Sequence, residues 1–370
     1  MNKGSRIDSL LDKRSQDGSL RTLKIAPAGL IDFSSNDYLG LARSTELKTS
    51  ILEVSRESDF KNGSTGSRLL TGNNELTKSC EESLAKIFGF EASTIFNSGY
   101  MANLAFFSAV PQRGDTIIYD EYAHACIKDG SRLSLAKRLS FKHNDLIDLE
   151  RKLKEAGGEI FIACEAIYSM DGDMAPLTEI TSLAKKYKAR VIVDEAHSTG
   201  IWGINGSGMV SELGLQKEIY AVIYTFGKAM GIHGACIAGS KELKAFIVNF
   251  SRPFIYTTAP SPYEVLSIQK AFNFIQDRPQ LIASLRKNIK LFNQLLPEQS
   301  TPSPIKSIVI GGNTETKALS EKLQNEGFDV RPILSPTVKE GSERLRICLH
   351  TYNTEEEITL ICQHIKTGTR

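Results

Sequence analysis

The amino-acid sequence predicts an α/β fold: a mainly parallel central sheet with helices on both faces, followed by a smaller α+β domain. Short apolar runs, many of them β-branched, recur between about residues 75 and 250. They lack in-out alternation, which favours parallel strands that are covered on both faces. Helical stretches such as LTEITSLAKKYKA, with apolar residues three and four apart, separate several of these runs. Strands that alternate with helices are typical of an α/β domain.

Prolines and changes of the hydrophobic pattern mark where the predicted elements begin and end. Residues 1–25 resemble a charged amphipathic helix that forms an arm, and a long helical stretch follows the prolines of FIYTTAPSPYE. A strand at SIVIGG, a helix at about 314–326 and a strand at RLRICLH then form the α+β unit. We expect an N-terminal segment at 1–50, a large α/β domain at 51–260 and a small domain at 261–370. The predicted strands of the large domain are Ala92–Phe96, Thr116–Tyr119, Ile160–Cys164, Val191–Val193, Ala221–Tyr224 and Cys236–Ala238.

Composition excludes several classes of function. The chain has 370 residues and a formal net charge of +2, so charge gives no reason to expect nucleic acid or an anionic membrane as a partner. The first residues lack the apolar core of a signal peptide, and no apolar run approaches the roughly 20 residues of a membrane span. The six cysteines are scattered without a CxxC pair, which favours reduced core thiols. We therefore expect a cytoplasmic protein.

Polar residues follow most of the predicted strands. Because the carboxyl ends of parallel strands meet at one edge of a sheet, ligand-binding groups gather there. This set of residues is the strongest functional signal in the chain. It comprises Ser98, Gly99, Tyr100, His124, Ser169, Asp194, His197, Thr225 and Lys228.

Lys228 lies among glycines in YTFGKAMGIHGA, directly after an apolar strand. One interpretation is a lysine that extends its charged end to solvent from a strand terminus. A Walker A phosphate loop is rejected, because Val222 stands where its first glycine would be and Ala229 replaces the metal-binding hydroxyl residue. The remaining interpretation is a desolvated lysine that forms a Schiff base, with the glycines allowing close approach of a flat cofactor.

Asp194 ends the run VIVDEAHSTG, in which His197 follows three residues later. A helix N-cap or a structural ion pair is one interpretation of the aspartate. A zinc site is unattractive, because Asp-Glu-x-His offers no third ligand at helical spacing. A carboxylate held against a pyridinium nitrogen explains the position better, since it would keep the ring protonated as an electron sink. His197 could then reach an adjacent oxygen on the ring.

The other strand ends carry weaker signals. IFNSGYMANLAFF is a strand, a Ser-Gly turn and a helix, whose first amides at Gly99 and Tyr100 are suited to a phosphate, and Thr225 could add a hydroxyl. His124 is either a satisfied core histidine or a ring stacked on a flat heterocycle. Ser169 is either a turn residue or a ligand.

Together these stretches closely resemble the α-oxoamine synthases, a pyridoxal-phosphate family of the fold-type I aminotransferase superfamily. The resemblance covers nearly the whole chain, through FSSNDYLGL, SGYMAN, AHACIKDGSRLS, SMDGD, DEAHSTG, TFGKAMG and RLRICL. It implies that Lys228 binds the cofactor covalently, that Asp194 pairs with the pyridine nitrogen and His197 with the ring hydroxyl, and that His124 stacks on the ring near Ser169. It also implies that Gly99, Tyr100 and Thr225 surround the phosphate. A homodimer is implied too, with Thr257 or Thr258 supplied by the partner subunit.

Within the family the chain is most similar to enzymes that condense L-alanine with pimeloyl-CoA, or its acyl-carrier-protein equivalent, in biotin biosynthesis. Arg21 and Thr337 match substrate-contacting positions of that subgroup. Arg346 should bind the amino-acid carboxylate, with help from Asn36. One departure is Thr77, which stands where the family often has a histidine.

The resemblance implies that Lys228 also removes the Cα proton of alanine. The alternatives are glycine C-acetyltransferase, serine palmitoyltransferase and 5-aminolevulinate synthase, which share the cofactor and the bond-forming step. An ordinary aminotransferase and a non-catalytic cofactor-binding regulator are more distant alternatives. Pocket shape, which decides between related substrates, is not readable from sequence.

Overall fold

The structure is a computed structural model that describes residues 5–23, 25 and 28–368. Contacts divide the chain into two compact units, which are described separately. The larger unit contains residues 37–169 and 173–283, and the smaller unit contains the described residues up to 36, residues 170–172 and those from 284 onward. The division into domains at residues 50 and 260 stays a prediction.

The secondary structure alternates between strands and helices through most of the chain. The strands are β1 (Ile31–Asp32), β2 (Ala92–Phe96), β3 (Thr116–Asp120), β4 (Lys137–Phe141), β5 (Ile160–Glu165), β6 (Arg190–Asp194), β7 (Ala221–Thr225), β8 (Ala235–Gly239), β9 (Ile305–Val309), β10 (Phe328–Asp329), β11 (Arg331–Ile333) and β12 (Arg344–Cys348). The α-helices are α1 (Arg6–Gln16), α2 (Thr45–Glu57), α3 (Glu75–Phe88), α4 (Gly99–Ala109), α5 (Ala125–Leu133), α6 (Leu146–Lys154), α7 (Leu177–Tyr187), α8 (Met209–Glu212), α9 (Lys241–Phe250), α10 (Arg252–Ile255), α11 (Pro262–Gln276), α12 (Gln280–Leu295), α13 (Asn313–Asn325) and α14 (Glu355–Gly368).

A seven-stranded sheet forms the centre of the larger unit, in the order β2-β8-β7-β6-β5-β3-β4. The strands β3 to β7 pair in parallel, and β8 runs antiparallel to both of its neighbours, β7 and β2. The carboxyl ends of β2, β3, β5, β6 and β7 therefore lie along one edge. The predicted mainly parallel α/β fold is confirmed.

Helices cover both faces of this sheet. Successive strand residues point to opposite faces. On β7, Ile223 belongs to a buried cluster that includes Phe106 of α4. Its neighbour Tyr224 stacks on Phe88 of α3, with ring centroids 3.5 Å apart. Because both faces are buried, the strands appear in the sequence as unbroken apolar runs.

Several predicted elements need correction. The N-terminal helix covers only Arg6–Gln16, and the long helical stretch is two helices, α11 and α12, which Pro279 separates. Strand β4 was not expected from its sequence KRLSF, since it is an edge strand whose side chains are mostly exposed. Edge strands lack the apolar signal of central ones.

The smaller unit contains an antiparallel sheet in the order β11-β12-β9 and a parallel pair formed by β1 and β10. In this sheet Arg346 of β12 lies between Arg331 of β11 and Ser307 of β9. Among the residues that the structure describes, no helix has the length and apolar character needed to cross a membrane.

Candidate active site

Lys228 follows β7 by three residues and is half-buried. Its Nζ lies 2.8 Å from Nε2 of His197, in the segment after the neighbouring strand β6. The other ring nitrogen of His197, Nδ1, lies 2.8 Å from the hydroxyl of Tyr38, which is fully buried. The structure therefore brings two predicted residues together and adds Tyr38, which we had not predicted.

Asp194 is the last residue of β6 and is 5% exposed. Its Oδ2 accepts a hydrogen bond of 2.6 Å from Nδ2 of Asn103, and its Oδ1 accepts one of 2.8 Å from the backbone N–H of Ala196. Both donors are neutral. Each oxygen of this buried carboxylate therefore has one hydrogen-bond donor, as buried polar groups require.

His124 is the N-cap of α5, and its own ring caps the helix. Nδ1 lies 3.2 Å from the backbone N–H of Cys126, which donates to it, and 2.9 Å from the thiol sulfur of the same residue. Nδ1 is thus an acceptor, so the proton of the neutral ring belongs on Nε2. Burial lowers the pKa of His124, and the charge of Lys228 lowers it further against the opposing charge of Asp194. The ring is neutral and a donor through Nε2.

Glu165 is a second buried carboxylate at this edge. It ends β5 directly beside Asp194 in the sheet register, and it accepts a hydrogen bond of 2.7 Å from the backbone N–H of His124. Burial, and then the charge of Asp194, raise the pKa of Glu165 to about 8. Its place at the end of the apolar run IFIACE could have drawn attention to it in the sequence.

The first turn of α4 lies beside the end of β7. A Cβ on Gly99 would collide with the methyl group of Thr225, so this position requires glycine. The first N–H groups of a helix lack partners within it, which makes this end suitable for a phosphate. The hydroxyl of Tyr100 donates instead to Asp129, at 2.6 Å. Nearby, the side chain of Asn97 donates to the carbonyl of Thr258, at 3.1 Å.

Ser169 lies beyond β5, in the turn closed by the bridge between Ile167 and Met174, and is half-buried. Thr257 is half-buried and its neighbour Thr258 is exposed. The roles of these three residues toward a ligand stay predictions.

The smaller unit holds the predicted substrate-binding residues as two pairs. Arg346 donates from Nη2 to Oδ1 of Asn36, at 2.9 Å. Arg21 donates from Nη2 to Oγ1 of Thr337, also at 2.9 Å. The structure brings each pair into hydrogen-bond contact, and their roles toward substrate stay predictions.

In the part of the chain that the structure describes, no group of three His, Cys, Asp or Glu residues could hold a metal ion. All six cysteines are described and buried, and none of them forms a disulfide.

Lys228 and Asp194 lie at the ends of neighbouring strands, beside a helix that begins with glycine. Together with the fold, this arrangement is that of a fold-type I enzyme. The chain matches the aminotransferase class I and II model over residues 28–365 and belongs to this family.

Within this family, the chain is similar to several named enzymes. The chain is 40% identical to 8-amino-7-oxononanoate synthase of Lysinibacillus sphaericus, over 90% of this chain and 87% of that protein. Among solved structures it is similar to 8-amino-7-oxononanoate synthase of Francisella tularensis, with a TM-score of 0.80, 29% identity, and coverage of 92% and 98%. It is also similar to a structure of SPT with a PLP internal aldimine, with a TM-score of 0.90, 25% identity, and coverage of 100% and 98%. The family resemblance predicted from the sequence is confirmed.

Proposed function

We propose that this protein is a pyridoxal 5′-phosphate enzyme of biotin biosynthesis. It condenses L-alanine with pimeloyl-CoA, or with the pimeloyl acyl-carrier protein, and yields 8-amino-7-oxononanoate, carbon dioxide and the free thiol. The observation that carries the proposal is the amine of Lys228 in contact with His197, beside the strand that ends in Asp194. This contact occurs in a chain that is 40% identical to the 8-amino-7-oxononanoate synthase of Lysinibacillus sphaericus.

The residues of the larger unit fit this cofactor. Lys228 supplies the amine that bonds to it, Asp194 supplies a buried carboxylate for its ring nitrogen, and the start of α4 at Gly99 supplies N–H groups for its phosphate. When bound, pyridoxal 5′-phosphate supplies an aldehyde that links to amines and a ring that accepts the electron pair left by a broken bond. His197 would donate to the ring oxygen of the bound cofactor, and His124 would stack on its ring.

The protein's own groups then handle protons and orientation. With the cofactor bound, Lys228 would remove the proton from Cα of alanine and would return a proton after carbon dioxide has left. Acid–base catalysis of this kind contributes roughly 10²–10⁴-fold in rate. His124 offers its Nε2–H to the bound substrate, since Nδ1 is occupied by Cys126. In the smaller unit, the guanidinium of Arg346 binds the alanine carboxylate with Asn36 beside it.

We propose further that the enzyme is a homodimer in the cytoplasm, in which Thr257 or Thr258 reaches the phosphate of the partner's site. Exposed aromatic side chains on α9 and after α10 support this assembly: Phe250 is 63% exposed and Tyr256 is 73% exposed. The six thiols, none of them in a disulfide, favour a reducing compartment. Sedimentation of the purified protein at the mass of one chain would contradict the dimer.

The test measures thiol release with alanine and a panel of acyl thioesters. We expect pimeloyl thioester with alanine to be the preferred pair. Preference for serine with a long acyl chain, or for glycine with acetyl-CoA, would instead identify a related synthase, and amino transfer without thiol release would identify an aminotransferase.

Substitutions of Lys228 and Asp194 test the roles proposed for these two residues. Lys228→Ala should lose the visible absorption of lysine-bound cofactor, whereas Lys186→Ala, at an exposed lysine, should keep it. Asp194→Asn should keep the cofactor and lose most turnover. Retained absorption in Lys228→Ala would reject the lysine assignment, and near-normal turnover in Asp194→Asn would reject the aspartate assignment.

A further inference from the structure

Asn103 lies in the fifth position of α4 and is 1% exposed. Its position in a mostly apolar helix gives no functional signal in the sequence. Its side-chain nitrogen is within hydrogen-bond distance of two oxygens: the carbonyl of Gly99 at 3.1 Å and Oδ2 of Asp194 at 2.6 Å. One amide thus contacts both the start of α4 and the buried carboxylate at the end of β6.

These two contacts fix which way the amide points. A carboxamide nitrogen carries two hydrogens and its oxygen carries none. The opposite orientation would place Oδ1 of Asn103 against two other oxygens. In the orientation observed, Oδ1 is buried and has no hydrogen-bond partner among the described residues. Leaving a buried acceptor without a partner costs free energy, so the two donated hydrogen bonds must outweigh that cost.

The hydrogen bonds also define the carboxylate of Asp194. Oδ2 accepts from Asn103 and Oδ1 accepts from the backbone of Ala196, so each oxygen has one neutral donor. One donor on each oxygen fixes the rotation of the carboxylate plane. The backbone donor belongs to the same loop as Asp194, whereas Asn103 is the donor that ties this carboxylate to a helix.

We infer that Asn103 is a positioning residue: it holds the carboxylate of Asp194 in one orientation, aimed at the cofactor's ring nitrogen, and links it to Gly99 at the phosphate end. The inference rests on the proposed function, because the ring nitrogen belongs to pyridoxal 5′-phosphate. Asn103 acts through Asp194 and does not itself touch the reacting atoms.

The test replaces Asn103 by leucine, which has a similar size and no donor. With a less firmly held carboxylate the ring nitrogen is protonated less. A positive charge on the ring disfavours a second positive charge on the lysine-bound nitrogen. Losing it therefore raises the pH midpoint at which the visible absorption of the bound cofactor changes. We expect Asn103→Leu to raise this midpoint by about one pH unit and to weaken cofactor binding about tenfold.

Two further variants separate positioning from general stability. Asn288 of the smaller unit is also buried, and its side chain donates to two carbonyls, so Asn288→Leu should lower the melting temperature and leave the spectral midpoint unchanged. If Asn103→Leu fails to fold, Asn103→Ala removes the same donor with a smaller side chain and should give the same spectral shift.

A double variant tests whether the effect passes through the aspartate. In an Asp194→Asn background, Asn103→Leu should produce no additional spectral shift, because the group it positions is gone. An unchanged midpoint in both Asn103 variants, or a full additional shift in the double variant, would overturn the inference. A wild-type protein that gains no visible absorption with pyridoxal 5′-phosphate would instead overturn the proposed function.

Discussion

His143 holds together three loops of the larger unit, and its protonation should control much of the stability of this unit. Its Nδ1 lies 2.9 Å from Oδ1 of Asp120, and its Nε2 lies 2.7 Å from Oδ2 of Asp173. Asp120 is fully buried at the end of β3, and its other oxygen accepts from the backbone N–H of Asn144. The ring also stacks on Tyr122, with centroids 4.4 Å apart. Only an imidazolium can donate to both carboxylates.

The magnitude follows from the pKa. Burial alone would lower the pKa of His143, but the hydrogen bonds to Asp120 and then Asp173 outweigh burial and raise the pKa from 6.5 to about 10. At about 1.4 kcal/mol per pKa unit, this rise corresponds to about 5 kcal/mol of folding free energy. Because the folded pKa lies above the unfolded one, this stabilisation is fully present below pH 6.5. It is lost as the pH rises through 10.

The assay compares His143→Gln with the wild type by urea unfolding at pH 6.5 and pH 10.5. Glutamine keeps one donor and has no charge. We expect a loss of about 3–5 kcal/mol in the free energy of unfolding at pH 6.5, and a loss of less than about 1 kcal/mol at pH 10.5. His233→Gln, at an exposed histidine, should change neither value. Equal destabilisation at both pH values would refute the assignment of a charged ring.

Three more predictions concern buried or substrate-binding charges. Burial, with the charge of Asp194, raises the pKa of Glu165 to about 8, so the free energy of unfolding of the wild type should fall as the pH rises from 4.5 to 8. Urea unfolding of Glu165→Gln at pH 5 and pH 8.5 should show a smaller fall. Burial lowers the pKa of Lys306 to about 7, so this residue should add about 1.4 kcal/mol per pH unit to the free energy of unfolding as the pH rises from 7 to 10.5. Urea unfolding of Lys306→Met should show no such increase. Arg346→Lys loses the planar fork, and steady-state kinetics should show KM for alanine raised about tenfold with unchanged cofactor absorption.

The fold could be predicted because its strands are buried on both faces. The runs that became β5 and β7 are apolar throughout, and their ends differ from the prediction by a single residue. The edge strand β4 was missed because water contacts most of its side chains, which removes the apolar signal. The break between α11 and α12 was missed although Pro279 was visible, since the helical pattern resumes directly after it.

From the residue pattern alone, the predicted site residues are those at or just after strand ends, and Arg346 and Arg21 were predicted only from the family resemblance. Lys228 and Asp194 lie at adjacent strand ends, so topology alone brings them to one edge. Their supporting partners lack such a marker. Tyr38 lies in a loop about 160 residues before His197, and Asn103 looks like one more residue of an apolar helix. Contacts over such a separation depend on packing, which a single sequence does not encode in its periodicity.

The two most perturbed basic groups oppose each other, and this shapes how pH should act on the whole protein. His143 belongs to the larger unit and stabilises it less as the pH rises from 6.5 to about 10. Lys306 belongs to the smaller unit, where its amine is buried and donates to neutral oxygens of Asn293 and Thr301. Because burial disfavours the charged amine, the smaller unit should become more stable as the pH rises from about 7 to 10.5. The two slopes are similar in size and opposite in sign. If the units unfold together, the wild type should therefore show a nearly flat profile from these groups across this range, and if they unfold separately, raising the pH should weaken the larger unit while it strengthens the smaller one.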